Sequence, residues 1–337
     1  MKILLAGTAR SGSTWATNVL GRSDGTRSVY EPDGPDSDVL GATLRTRLGD
    51  YPVLTAGQRN YWYRVVWDLA FAGGWPWDRV EGARAAGRRL VRVPPELRDY
   101  MVVALAEGTR MTRRRPENVV VKSVNSAFSL EWIHARYAPK VVILRRNPLN
   151  VVSSWLVLNM WTRKPIGMDP LVQRAYVIPR GLTPPGNQAS TLTVTAWNVG
   201  LLVRALRDAA ERHPDWIVAS HDELSADPVA GFRELAQRIG LRWNPAMDDY
   251  LRQSDDPAFT VHGGSARVHP NAVTATTDGT RREQQSTQYR RRLTPEQAAE
   301  ARAILEGFDL GDWGPPSEVE PAVPLEGSAG GAKALGV

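Results

Sequence analysis

The strongest chemical signal in the sequence is a short segment near its amino terminus that combines glycines, hydroxyl side chains and one arginine. Residues 7–14 read Gly-Thr-Ala-Arg-Ser-Gly-Ser-Thr, between an apolar run at residues 2–6 and a helical pattern that begins at Trp15. Glycines let backbone N–H groups approach an anion, and the helix directs its positive end at the same point. We therefore predict a phosphate-binding loop; the alternative is an ordinary tight turn between a strand and a helix.

This loop differs from that of the nucleoside triphosphatases. Gly7 and Gly12 have the right spacing, but a triphosphatase needs lysine after the second glycine, and Ser13 stands there. The cation comes earlier, at Arg10, so the loop is expected to bind a phosphate-like group through Arg10, backbone amides and hydroxyls. A kinase or nucleoside triphosphatase on a similar scaffold is the first rival interpretation, and magnesium-dependent ATP hydrolysis would support it.

A second candidate anion site lies in the middle of the chain. Arg146 follows a predicted buried strand at residues 140–144, and Ser154 comes eight residues later, two turns into the next predicted helix. An arginine at a strand end can hold a phosphate by two hydrogen bonds, and the serine would face the same side. The alternative is that Arg145 and Arg146 only cap the end of the strand.

Together these segments resemble the sulfotransferases that use 3′-phosphoadenosine-5′-phosphosulfate (PAPS). Residues 10–15, Arg-Ser-Gly-Ser-Thr-Trp, are similar to that family's first loop, and residues 146–154 are similar to its 3′-phosphate motif, with Asn150 in place of the usual aspartate. The resemblance implies that Arg146 and Ser154 hold the 3′-phosphate of PAPS. It also implies that the loop holds the 5′-phosphosulfate through Arg10, Ser11, Gly12, Ser13, Thr14 and Trp15.

The same resemblance assigns catalytic roles. Lys122 ends a predicted strand at residues 118–122, where the family places a lysine near the sulfate, and Arg10 would share that task. The steroid and phenol branch has a histidine base two residues later, but that position is Val124 here. Glu31 is the expected base, as in carbohydrate sulfotransferases and related bacterial enzymes. The alternatives are that Glu31 is a solvated loop acid or that His134 is the base.

Two further regions carry weaker signals. The family closes its PAPS site with a C-terminal loop that contains an arginine, so Arg281 or Arg282 is expected to complete the 3′-phosphate site. A solvated basic stretch over residues 276–292 is the alternative. His221, within a Ser-His-Asp-Glu-Leu stretch that resembles a late strand-to-helix junction of the family, is interpreted as structural.

Alternation of apolar strands with helical patterns predicts an α/β fold, a doubly wound parallel sheet with a P-loop-like nucleotide-binding core. Continuous Val/Ile runs indicate strands that are covered on both faces. The expected strands are residues 2–6, 28–30, 118–122, 140–144 and 216–219. The expected helices are residues 15–20, 128–137, 149–160, 191–212, 228–239 and one that opens at Thr294-Pro295. Residues 61–115 are expected to be mainly helical, and residues 33–60, 163–190 and 252–288 irregular.

One domain is expected over residues 1–313, followed by a disordered tail at residues 314–337. Helical and loop insertions, about residues 33–115 and 160–190, are expected to form the acceptor site. An aromatic stretch over residues 61–77 has helical spacing; it is interpreted as core, with an acceptor pocket as the alternative.

Composition limits the remaining choices. The chain has 337 residues, a net charge of +6 and no cysteine, which excludes disulfides and thiolate chemistry. Five scattered histidines predict no metal site, and the positive charge favours anionic partners. A basic nucleic-acid-binding protein is the second rival, but no recognition motif supports it. With no signal-peptide pattern and no long apolar run, we expect a cytoplasmic sulfotransferase without a transmembrane segment, acting with PAPS on a small-molecule, glycan or lipid acceptor.

Overall fold

The fold is built on one parallel sheet, seen in a computed structural model of the chain. The structure describes residues 1–34, 39–75, 93–112, 114–160, 164–254 and 287–316. Five strands lie in the order β2-β3-β1-β4-β5, and every neighbouring pair is parallel. They are β1 (Lys2–Gly7), β2 (Thr26–Tyr30), β3 (Asn118–Ser123), β4 (Lys140–Arg145) and β5 (Ile217–Ser220).

The central strand, β1, lies between β3 and β4, so the chain winds outward from it in both directions. Its register pairs Leu5 with Lys122 of β3 and Gly7 with Leu144 of β4, which aligns the carboxyl ends of the three strands. In a doubly wound sheet, a crevice forms where the strand order reverses, outside the carboxyl ends. The sheet therefore directs the loop after β1 into such a crevice.

Helices cover both faces of the sheet. Those along the chain are α1 (Ser13–Leu20), α2 (Val39–Leu48), α3 (Tyr61–Phe71), α4 (Pro95–Thr112), α5 (Leu130–Tyr137), α6 (Pro148–Val157), α7 (Thr191–Arg212), α8 (His221–Ala226), α9 (Pro228–Ile239), α10 (Pro245–Ser254) and α11 (Pro295–Glu306). Shorter helical turns lie at Ile166–Met168, Pro170–Val172, Gln173–Val177, Ile178–Arg180, Gln288–Arg291 and Gly311–Trp313.

Two apolar cores result, because successive side chains of a strand point to opposite faces. Leu4 packs into the larger core with Trp67 of α3 and Trp155 of α6. Ile3 and Leu5 pack into the other core, which contains residues from α1, α9 and α10. The sheet is buried on both sides, as its continuous apolar runs predict.

The predicted fold class is confirmed, and each predicted strand is found with ends that differ by at most two residues. Core packing of the aromatic stretch is also confirmed for Tyr63, Trp67 and Phe71, which are buried. Within the described residues, no helix is both long and apolar enough to cross a membrane. The cytoplasmic location and the single-domain boundary stay predictions.

Three predicted irregular regions contain helix. Residues 33–60 include α2, whose buried residues Leu40 and Leu44 are too few to give a clear helical pattern in sequence. Within the predicted irregular region 163–190, residues 166–180 form a series of short helical turns, and residues 252–254 belong to α10. The rest of the region up to residue 286 and the tail beyond residue 316 lie outside the described residues.

Helix α6 ties the loop after β1 to the core. The fully buried Trp155 donates a hydrogen bond from Nε1 to the carbonyl oxygen of Ala9, at 2.9 Å. A buried carbonyl that loses its donor is costly, and a smaller ring also leaves a cavity.

We therefore expect Trp155→Phe to lower the free energy of unfolding by about 2–4 kcal/mol in urea titrations. Tyr61→Phe is the control, because this ring is 52% exposed, and it should change stability by less than about 0.5 kcal/mol. Equal stability of the two variants would contradict this anchoring role.

Candidate active site

The predicted site residues stand where the strands end. Glu31 directly follows β2, Lys122 is the penultimate residue of β3, and Arg146 directly follows β4. The loop of residues 8–12 follows β1, which lies between β3 and β4. Because neighbouring strands lie about 5 Å apart, these positions share one short edge of the sheet.

Both glycines of the loop are required by close packing. A Cβ at Gly7 would lie 2.7 Å from the Ser11 Oγ and 2.8 Å from the Leu144 carbonyl oxygen. Gly12 has a φ of 88°, and a Cβ there would lie 2.0 Å from the Cδ2 of His221. Arg10, between them, also has a positive φ, of 71°. Strained backbone of this kind clusters at functional sites.

The loop presents hydrogen-bond donors rather than acceptors. The carbonyl of Ala9 already accepts from Trp155, and that of Arg10 accepts from the Nη1 of Arg146 at 2.9 Å. Gly12, at the N-cap of α1, offers no side chain to its first amides. The buried Ser11 Oγ has no hydrogen-bond partner within the described chain. These donors and the positive helix end fit the oxygens of a phosphate or sulfate.

The two predicted anion-binding segments contact each other through Arg10. Its Nε donates a hydrogen bond to the Oγ of Ser154 at 3.0 Å, while its carbonyl accepts from Arg146. The Nε of Arg146 is buried and has no partner in the described part of the chain. The structure thus brings together Arg10, Arg146 and Ser154, which are far apart in sequence.

Positive charge concentrates at this contact. Burial lowers the pKa of Arg10. Burial first, and then the charges of Arg10 and Arg292, lower the pKa of Arg146 to about 10, although Asp222 acts in the opposite direction. Burial and the charge of Arg10 also lower the pKa of Arg292. Because these cations repel one another, an anion bound among them would be stabilised by all three.

Arg292 is a site residue that sequence analysis missed. It follows the helical turn Gln288–Arg291, which is tied to α6 because the Tyr289 backbone N–H donates to the Oδ1 of Asn150 at 2.8 Å. The available signal was the apolar pair Tyr289 and Leu293, which is buried and leaves Arg292 between them. The predicted Arg281 and Arg282 lie outside the described residues.

Glu31 and Lys122 form an ion pair. The Nζ of Lys122 contacts the Oε1 of Glu31, and the Glu31 backbone N–H donates to the Lys122 carbonyl oxygen at 2.6 Å. Lys122 is only 5% exposed, and Glu31 has a positive φ of 46°. The structure therefore places the predicted base and the predicted lysine in direct contact.

Asp33, two residues after Glu31, is a second carboxylate of the site. It is 3% exposed and accepts hydrogen bonds from the Ser123 Oγ at 2.8 and 3.0 Å and from the Tyr63 hydroxyl at 3.2 Å. Burial raises the pKa of Asp33 to about 6, with a smaller contribution from the negative charge of Glu31, and the hydrogen bonds oppose this rise. Sequence analysis assigned no role to Asp33.

Of the two remaining histidine candidates, His221 packs against the loop and His134 does not. His221 is buried against Gly12, burial lowers its pKa, and its ring meets that of Trp15 edge-on at 5.9 Å. The next residue, Asp222, accepts from the Asn147 backbone N–H at 3.1 Å, where α6 begins. This arrangement fits the structural role expected for His221. His134 packs elsewhere, against the rings of His213 and Trp216.

Ser13, Thr14 and Trp15 occupy the first turn of α1, directly after the loop. Ser13 is buried, and the Nε1 of Trp15 donates to the Ser254 Oγ at 3.2 Å, which ties α1 to the end of α10. Their place next to the loop agrees with the predicted pattern, and their roles stay predictions.

A cavity of about 720 Å³ lies between the start of α5 and the end of α7, and none of the predicted site residues lines it. Its walls are mostly apolar, with Phe128 and Tyr176 in contact at 4.5 Å between ring centroids. Residues 53–56 and 175–180 contribute to the lining, and these come from the two predicted insertions. No group of three or more histidines and carboxylates able to hold a metal occurs among the described residues.

Comparison with known proteins found similarity only among solved structures. No family model and no curated protein sequence matches the chain. The sulfotransferase domain of the Synechococcus PCC 7002 olefin synthase is 14% identical, with 92% of this chain and 94% of that domain covered and a TM-score of 0.41.

Two further solved structures are similar. The sulfotransferase domain of the curacin biosynthetic pathway is 14% identical, with 90% of this chain and 96% of that chain covered and a TM-score of 0.47. A sulfotransferase from Mycobacterium avium is 14% identical, with 92% of this chain and 76% of that chain covered and a TM-score of 0.41. At such scores the similarity assigns neither a family nor an activity to this chain.

The buried Asp33 gives a prediction for stability against pH. Its pKa of about 6 in the folded chain lies above the ordinary 3.8, so the folded state binds the proton more tightly. Protonation of Asp33 therefore stabilises the folded state by about 3 kcal/mol at a pH below 3.8, and this stabilisation is lost as the pH rises through about 6.

Asp33→Asn should remove this dependence, so that the variant gains stability relative to the wild type between pH 4 and pH 7 in urea titrations. Asp215→Asn is the matched control at an exposed position and should follow the wild type. A variant at position 33 that keeps the wild-type profile would show that Asp33 does not titrate in this range.

Proposed function

We propose that this protein is a PAPS-dependent sulfotransferase that moves a sulfuryl group to a hydroxyl or amine acceptor. The observation that carries the proposal is the contact between the two anion-binding segments, made by Arg10 with Ser154 and Arg146. A ligand with anionic groups at two ends needs two binding segments that meet. A 3′,5′-substituted adenosine has that character, and the motifs of both segments resemble those of the family.

The binding roles follow from position. The first amides of α1, together with Ser11, Gly12, Ser13 and Thr14, would hold the 5′-phosphosulfate, because helix N-termini favour anions. Arg146 and Ser154 would hold the 3′-phosphate. We add Arg292 to this second group, since the charge of Arg10 acts on Arg292 and the charge of Arg292 acts on Arg146. Trp15 would flank the nucleotide, and Arg281 and Arg282 stay candidates for closing the site.

The reaction needs a base for the proton of the acceptor and cations for the charge on the leaving oxygen. The acceptor oxygen forms a new bond to sulfur as the bond from sulfur to the 5′-phosphate oxygen breaks, and the bisphosphate leaves with that electron pair. Glu31 takes the proton of the acceptor. Lys122 and Arg10 stabilise the charge that develops on the leaving oxygen. The scheme thus assigns charge stabilisation to fixed cations.

The acceptor is proposed to occupy the cavity between α5 and α7. Apolar walls from residues 53–56 and from Phe128 and Tyr176 suit the body of a lipid or an apolar natural product better than a highly charged acceptor. Arg212 and His213 at its lining are paired with Glu131, so they are not free cations for an anionic acceptor. A small-molecule, lipid or glycan acceptor with an apolar portion is the resulting class.

The 3′-phosphate assignment predicts that Arg146→Ala and Arg292→Ala each weaken binding of adenosine 3′,5′-bisphosphate by at least about tenfold, because each removes a charge-assisted contact. Isothermal titration calorimetry measures the affinity. Arg291→Ala is the matched control: this neighbour is exposed, and the same loss of charge should change affinity by less than about twofold. Wild-type affinity in both site variants would refute the assignment.

The base assignment predicts that Glu31→Gln keeps its affinity for the bisphosphate but transfers the sulfuryl group about 10²–10⁴-fold more slowly. The loss should be larger with 2-phenylethanol as a probe acceptor than with the more acidic 4-nitrophenol, which needs less help from a base. Release of the bisphosphate from PAPS measures turnover. Glu234→Gln, at an exposed position, is the control. Small and equal losses of turnover with both probe acceptors would indicate that another residue is the base.

A further inference from the structure

The backbone that carries Glu31 is a strained turn. Residues 31–34 read Glu-Pro-Asp-Gly, and the Gly34 N–H donates to the Glu31 carbonyl oxygen at 2.9 Å, which closes the turn. Glu31 has a φ of 46°, in the left-handed region that non-glycine residues seldom adopt. Such a conformation persists only where surrounding contacts hold it. The contacts of the turn therefore decide where the Glu31 carboxylate points.

Asp33 connects this turn to the end of β3. Both of its carboxylate oxygens accept from the Ser123 Oγ, and that oxygen in turn accepts from the backbone N–H groups of Asn125 at 3.3 Å and Ser126 at 3.1 Å. Ser123 directly follows Lys122. One buried carboxylate therefore links the residue after the lysine to the turn that holds the glutamate.

A second connection runs to the helices. The Tyr63 hydroxyl, on α3, donates to Asp33 at 3.2 Å and lies 2.6 Å from the Oγ of Ser129, at the N-cap of α5. Tyr63 is fully buried in the larger apolar core. Asp33 is thus fixed from two directions, by the sheet and by a packed helix.

We propose that Asp33 is a positioning residue that holds the Glu31 carboxylate beside the ammonium group of Lys122. It acts through the turn rather than on a substrate, because its side chain is buried and its described hydrogen bonds are to Ser123 and Tyr63. The catalytic consequence rests on the proposed function, in which Glu31 is the base. The positioning itself is a property of the fold and can be tested without any acceptor.

The absence of cysteine from the sequence provides that test. Glu31→Cys introduces a single thiol, and its rate of alkylation by iodoacetamide against pH gives the thiol pKa. Held beside Lys122, the thiol should titrate below the ordinary value of about 8.5. Adding Lys122→Ala should abolish this effect. Adding Asp33→Asn should raise the thiol pKa by about one pH unit, a tenfold change in the thiolate fraction, because displacement of the thiol from Lys122 outweighs the opposite effect of losing the negative charge of Asp33.

Two further variants make the result decisive. Glu31→Cys with Asp215→Asn is the matched control and should behave like Glu31→Cys alone. Glu31→Cys with Ser123→Ala removes the same hydrogen bonds from the other side and should behave like the Asp33→Asn combination. The proposal is overturned if the thiol pKa is the same with and without Asp33→Asn, or if Lys122→Ala has no effect on it.

Measurements of kcat and KM distinguish a positioning role of Asp33 from a general loss of structure in the variant. Asp33→Asn should lower kcat about tenfold for transfer from PAPS to 2-phenylethanol and leave KM for PAPS within about twofold, because the nucleotide site is untouched. The double variant Glu31→Gln/Asp33→Asn should be no slower than Glu31→Gln, since Asp33 acts through Glu31. Additive losses would contradict positioning. Failure of the wild type to bind the bisphosphate would contradict the proposed function instead, and the thiol titration would still decide the role of Asp33.

Discussion

The hydrogen bond from the Arg10 guanidinium to the Ser154 hydroxyl joins two parts of the chain on which the rest of the site depends. It brings the loop after β1 to helix α6, and it does so at a point where Arg146 and Arg292 add further positive charge. Crowding like charges in a partly buried place is unfavourable unless an anion occupies it. The arrangement therefore makes physical sense as an anion site, and as a structural feature alone it would be costly.

Helix α6 is the element that maintains this arrangement. Ser154 contacts Arg10, Trp155 holds the loop carbonyl of Ala9, and Asn150 holds the segment that carries Arg292. One helix thus positions residues from the amino-terminal and carboxyl-terminal parts of the chain. Asp222, after β5, fixes the first backbone amide of this region through Asn147.

Much of this could be predicted because the signals were local. Each parallel strand is a short continuous run of apolar residues, and a glycine-containing loop between a strand and a helix is typical of an anion-binding site. Parallel strands end at one edge of a sheet, so it was foreseeable that the strand ends next to Arg10, Arg146 and Lys122 would be aligned. Helix α2 was missed because only a few of its residues are buried.

The two missed site residues depend on long-range contacts. Arg292 is one of three consecutive arginines, and only the folded structure, in which its charge acts on Arg146, distinguishes it from the other two. Asp33 reads as a turn residue, and its burial becomes visible only when Tyr63 and Ser123 are placed around it. The contacts of Asp33 leave no pattern in the neighbouring sequence, and the local signal for Arg292 is limited to the apolar residues Tyr289 and Leu293 on either side of the three arginines.

The most direct test of the joined anion site is calorimetric titration of the unmodified protein with adenosine 3′,5′-bisphosphate, AMP and 3′-AMP at one salt concentration. If the two segments hold opposite ends of one ligand, the bisphosphate binds once per chain and at least about tenfold more tightly than either monophosphate, because each phosphate has its own cations. A bisphosphate that binds no more tightly than AMP would contradict the account.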